Sequence, residues 1–114
     1  MPNESQRPDL NGQRILLVGG LLQRVSHLKR LVESYNGRLI HHDGGMEESL
    51  ERLDSLFGRV DAVIFPVNCV SHAAQGRLKR LCRRWDKPFL PLRRSGLSAF
   101  AETLESYAAR PPRA

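Results

Sequence analysis

The sequence predicts an α/β fold, a four-stranded parallel sheet in the order 2-1-3-4 with helices on both faces, half of a doubly wound architecture. Three observations predict it. Four short apolar runs alternate strictly with four amphipathic stretches, the rhythm of βα units joined by right-handed crossovers. The runs at Arg14–Val18 and Asp61–Phe65 are continuous rather than alternating, which suits strands covered on both faces. Each run gives way to glycine, proline or small polar residues before the next helix begins.

The elements follow in order. Met1–Gln13 is polar, with two prolines, two asparagines and a glycine, and reads as a disordered arm or loose cover ahead of a domain spanning 14–109. Arg14–Gly20 is a strand ending in paired glycines, and Leu28, Leu31, Val32 and Tyr35 then recur at helical spacing until Asn36 and Gly37 stop the helix. Gly37–His42 is the second strand, closed by Asp43, Gly44 and Gly45, and Leu50, Leu53, Leu56 and Phe57 face a second helix inward until Gly58 ends it. The third strand, Asp61–Val67, leads to a helix capped by Ser71, whose buried stripe is Leu78, Leu81, Cys82 and Trp85. Pro88–Leu92 is a shorter strand that its two prolines push to the sheet edge. The last helix, Leu97–Ala109, buries Phe100, Leu104 and Tyr107, and residues 110–114 read as a disordered tail.

Composition bounds the function. At 114 residues there is material for one core. The chain has no apolar span long enough for a bilayer and no signal-like start, and its two cysteines, Cys69 and Cys82, form no CxxC pair. These features lead us to expect a soluble, reduced, cytoplasmic protein. The formal charge of +6 is unevenly spread. Arg77, Lys79, Arg80, Arg83, Arg84 and Lys87 crowd the third helical stretch, while Glu47, Glu48, Glu51 and Asp54 mark the second. That complementarity suits a homodimer steered by helix charges. Nucleic acid ranks behind it, because Phe57, Phe65, Trp85, Phe89, Phe100, Tyr35 and Tyr107 all read as core residues and leave no stacking platform.

In a parallel sheet all four strand ends share an edge, so four polar clusters converge there. They comprise Gly19 and Gly20; His41, His42, Asp43 and Gly44; Asn68, Cys69, Ser71 and His72; and Arg93, Arg94, Ser95 and Gly96. Glycines let backbone amides approach a ligand, and helix amino termini add partial positive charge. Lys79, on the His72 side of its helix, extends the set. The expected ligand-binding residues are Gly19, Gly20, His41, Asp43, Gly44, Asn68, Ser71, His72, Lys79, Arg94 and Ser95, and the expected ligand is a small anion, a phosphate or a nucleotide. The paired glycines are not a dinucleotide fingerprint, since no third glycine follows at the required spacing.

Val18–Gly20, His42–Gly45, Cys69–His72 followed by Lys79 and Cys82, and Ser95–Ser98 together resemble the bacterial domain of unknown function 2325 family. The resemblance spans about Arg14–Tyr107. It implies a Rossmann-like or flavodoxin-like domain, found alone or behind a helical extension and often self-associating, with haem connected to longer relatives. It implies no settled activity. Asn68 departs from the acidic or hydroxyl residue expected before Cys69.

Two further readings compete with the binding or regulatory module. His41, His42 or His72 are the candidates for haem or a metal, although a structural zinc site needs about four ligands in register. Cys69, activated by His72 and a helix terminus, would make a small thiol enzyme. Against these, Cys69 suits a small buried side chain, Ser71 has sufficient work as a cap, and one of the adjacent histidines packs under a helix because residues alternate across a strand.

Overall fold

Residues with no polar side chain to offer solvent make the centre of the sheet. The computed structural model describes residues 8–19, 22–44, 49–94 and 96–109. Among the described residues its elements are β1 (Arg14–Val18), α1 (Leu22–Ser34), β2 (Arg38–His42), α2 (Glu51–Phe57), β3 (Ala62–Pro66), α3 (His72–Trp85), β4 (Phe89–Leu92) and α4 (Leu97–Ala108), with a 3-10 turn at Val67–Cys69. The sheet is all parallel in the order β2-β1-β3-β4. All five residues of β3 and the last four of β1 are buried, as expected of inner strands covered on both faces.

Alternation along the strands divides these residues between two cores. Leu16, Val18, Val63 and Phe65 pack with Leu53, Leu56, Phe57, Leu78, Leu81 and Cys82, beneath α2 and α3. Ile15, Leu17, Ala62, Ile64, Leu90 and Leu92 pack with Val32, Phe100 and Leu104, beneath α1 and α4. The Phe65 and Phe89 rings meet across β3 and β4 with centroids 4.6 Å apart, inside the favourable range for an aromatic pair. Pro91 is exposed on the edge strand, where a missing amide costs no ladder bond.

Two helices end through the same device. Asn36 takes φ +61°, its amide donates to Glu33 O, and the Gly37 amide reaches back to Val32 O at 2.9 Å. Asp86, at φ 53°, ends α3 in the same way, with Lys87 N bonded to Cys82 O. In this arrangement the left-handed residue precedes the one that closes the six-residue loop, so Asn36, and not Gly37, carries the unusual backbone. Gly37 is required for a different reason. A Cβ there would stand 2.6 Å from Leu10 Cδ1 and 3.1 Å from Val32 Cγ1.

The reading of Met1–Gln13 as a disordered arm therefore needs correction from Pro8 onward, where the chain covers the core instead. Leu10 is only 1 % exposed and belongs to the α1/α4 core. Its amide donates to Tyr35 O, and Gly12 N donates to Asn36 O. Asp9 accepts from Asn11 N and Asn36 Nδ2, bonds that hold its carboxyl below the usual range. One leucine in a polar stretch has no periodicity to announce it. Residues 1–7 and 110–114 lie outside the described residues.

Trp85 requires a second correction. The helical stripe places it inward, yet it is 45 % exposed. Trp85 closes α3 with its ring over Gly58, the residue that ends α2 and offers no side chain to cover the indole.

The Leu10 plug makes a direct prediction. Leu10→Ala should lower stability by about 2–5 kcal/mol, and Gly37→Ala should also destabilise. In a urea-unfolding double-mutant cycle the combined variant should cost less than the sum, because removing Leu10 Cδ1 makes room for the new methyl.

Candidate functional site

The carboxyl edge of the sheet is built by ladders of unequal length. β1 pairs with β2 up to Val18 and His42, and the pairing continues as Gly19 N donates to His42 O at 2.7 Å. β3 pairs with β4 up to Pro66 and Leu92. Between them, β1 and β3 pair only as far as Leu17 and Ile64. The sheet thus opens into a notch between its two central strands. This is also the switch point, because β1 connects through α1 to one side of the sheet and β3 leads through α3 to the other, the place where open α/β sheets bind ligands.

Glycines and a buried histidine form the β1–β2 wall. Gly19 and Gly44 have φ +85° and +81°, values that disfavour a side chain. A Cβ on Gly44 would lie 3.6 Å from Gly19 Cα. His42 is fully buried. Its Nδ1 accepts from Gly44 N at 3.0 Å, and its Nε2 lies 2.9 Å from Ser49 O. A carbonyl only accepts, so the proton sits on Nε2 and both ring nitrogens are engaged. His41, on the opposite face, donates from Nε2 to Gly19 O at 3.0 Å. Asp43 is half-buried and partnered.

The β3–α3 wall is pinned by side chains that bond backbone. Ser71 Oγ accepts from Ala74 N at 3.1 Å, the cap that its position predicts, worth about 1 kcal/mol. Gln75 Nε2 lies 3.1 Å from Val67 O and 3.0 Å from Val70 O, holding the 3-10 turn against α3. The sequence reading missed Gln75. Nothing marks a glutamine as a loop clasp until the turn is seen to fold over it.

Each expected residue now has a place. Gly19, His41, Asp43 and Gly44 assemble at one wall, and Asn68, Ser71 and His72, all exposed, at the other. Arg94 is exposed just beyond the end of β4, at the same edge. Lys79 is exposed on the His72 side of α3, about 10 Å further along its axis, and stands away from the notch. Gly20, Ser95 and the Cys69 thiol lie outside what the structure describes. For a metal, no group of three histidine, cysteine or acidic side chains assembles among the described residues. Loading one on His42 would first break a hydrogen bond.

The chain belongs to the family described as an uncharacterized protein conserved in bacteria (DUF2325). Residues 14–107 match it, nearly the whole α/β unit. No curated protein matches the chain. Among the described residues no helix is long and apolar enough to cross a membrane.

Two outcomes follow from this geometry. His42→Phe keeps the volume but strands Gly44 N and Ser49 O, and should cost about 1–3 kcal/mol in chemical denaturation. Cys82, buried in the α2/α3 core, has its thiol pushed up to about 12 by burial. It should resist iodoacetamide at pH 8 in the folded protein and react once unfolded, as peptide mapping would show. The raised value also means that its contribution to stability is present below about pH 9, where the unfolded thiol is still protonated. That contribution should be lost as pH climbs towards 12.

Proposed function

We propose that this chain is a small-anion binding or regulatory module, with a phosphate-bearing or nucleotide-like ligand at the notch between β1 and β3. The observation that carries the reading is the early end of the β1–β3 ladder at Leu17 and Ile64 between two longer ladders. It leaves a crevice at the switch point, walled by glycine backbone on one side and by the start of α3 on the other. Ser71 Oγ takes Ala74 N, and Gln75 N bonds Ser71 O, but His72 and Ala73 occupy the first helical positions, where amides have no acceptor within the helix. Those amides and the helix dipole suit an anion, and Arg94 adds a charge that forks onto phosphate.

Self-association belongs to this reading. The acidic and basic helices expected to pair between subunits already meet inside one chain, where Arg77 Nε lies 3.3 Å from Asp54 Oδ1. A dimer must therefore draw on other surfaces or on the remaining charges. Haem or metal on His41, His42 or His72 is the second reading, and engagement of both His42 nitrogens weighs against that residue. A thiol enzyme using Cys69 with His72 is the third.

Calorimetric titration with inorganic phosphate and with nucleoside mono- and triphosphates, on protein first checked by native mass spectrometry for retained ligand, tests the reading. Arg94→Ala should weaken binding about fivefold or more with an unchanged melting temperature, since the side chain is exposed. Lys79→Ala should have a smaller effect, given its distance from the notch. Parent-like binding by both variants would remove the anion site.

A further inference from the structure

The second feature is remote from the notch. α2 and α3 enclose a groove of about 430 Å³ lined by Asp54, Arg77, Arg80, Leu81 and Arg84. Arg77, Arg80 and Arg84 recur at spacings of three and four, so they form one row along α3. The helix sequence HAAQGRLKRLCRRW contains five basic residues and no acidic one. Arg77 is held by Asp54, the lone carboxylate among the lining residues. Arg80 and Arg84 have no ion-pair partner among the described residues. At the end of the same seam stands Trp85, 45 % exposed beside Gly58 at the close of α2.

We propose that this groove binds single-stranded nucleic acid, the arginine row holding phosphodiester oxygens and the Trp85 ring stacking on a base. Charge and shape select this occupant. Guanidinium forks match phosphate oxygens in geometry as well as in charge. An exposed indole next to such a row supplies the sequence-tolerant stacking surface that single-strand binders combine with a basic track. On sequence grounds nucleic acid ranks behind other partners because the aromatics read as core residues, and Trp85 is not buried. Duplex is disfavoured by shape. A helix that reads the major groove must protrude into a channel about 12 Å wide, whereas the arginine face of α3 is walled by α2. An acidic protein segment would satisfy the arginines but has no use for the indole.

Trp85 is the chain's one tryptophan, so intrinsic fluorescence reports on the site directly. Titration with a twelve-nucleotide oligothymidylate should quench it saturably, and affinity should fall as NaCl rises, by about 0.7 in the log–log slope per phosphate contact. Arg80→Gln with Arg84→Gln should weaken binding at least tenfold and reduce that slope by about 1.4, with the circular dichroism melt retained as evidence of folding. Trp85→Leu, followed by anisotropy of a labelled oligonucleotide, should weaken binding about tenfold without changing the salt slope. Several results would overturn the proposal: no quenching by the oligonucleotide, binding indifferent to the double arginine substitution, equal quenching by polyglutamate of matched length, or a concentration-dependent dimer whose assembly buries Trp85.

Discussion

Pairing of β1 with β3 is the constraint on which the rest of the structure depends. The two strands are distant in sequence and adjacent in the sheet, so each is flanked on both edges and buried on both faces. Their apolar side chains must then divide by alternation between two cores, and helices must cover both. The register is clamped at the amino end, where Arg14 N donates to Asp61 Oδ2 and Asp61 N to Arg14 O, each at 2.8 Å. A slip of one residue would exchange the Leu16 and Val18 set with the Ile15 and Leu17 set and put both cores out of step. With one end fixed, the ladder runs only to Leu17 and Ile64. The same pairing that builds the core therefore sets where the sheet opens.

Much of this was legible in the chain. Strict alternation of apolar runs and amphipathic stretches gave the element order, and the prolines in Pro88–Leu92 pointed to an edge strand, which β4 is. Ser71 announced its cap because a hydroxyl just before a helical run has a specific local partner. What sequence could not reveal depends on contacts between distant segments. Leu10 is buried because Gly37 lacks a side chain 27 positions later. Trp85 is exposed although the period places it inward, because Gly58, which it meets at the end of α2, has no side chain to cover it. Of the two adjacent histidines, alternation foretold that one would pack inside. That it is His42, held at both ring nitrogens, follows from where Gly44 and Ser49 fall after folding.

The polar residues that look most chemical in the sequence prove to be occupied with structure. Ser71 caps a helix, His42 clasps the turn after β2, and the unremarked Gln75 clasps the turn after β3. Each bonds backbone, so among the described residues what remains at the notch for a ligand is chiefly backbone itself, with Asn68, His72 and Arg94 at the margin. A site of that composition suits the anion binding proposed above, which needs charge and shape.

α3 contributes to both proposed sites, its amino terminus to the notch and its arginine row to the groove, so the question is whether occupancy of one reaches the other. Coupling requires an element with two arrangements that both ligands bias. α3 is locked at its start by Ser71 and Gln75 and at its end by the bond from Lys87 N to Cys82 O, and Leu78, Leu81 and Cys82 are sunk in the core. A helix so held resists fraying at either terminus and can shift only as a body, against close-packed side chains. The Arg77–Asp54 pair is the looser link, since Asp54 is half exposed and a partly solvated pair is worth little. A phosphate in the groove can draw Arg77 away at small cost, and that exchange stays on the surface of α2. The geometry therefore favours two sites that load independently, one made by the end of the sheet and the other by the side of a helix.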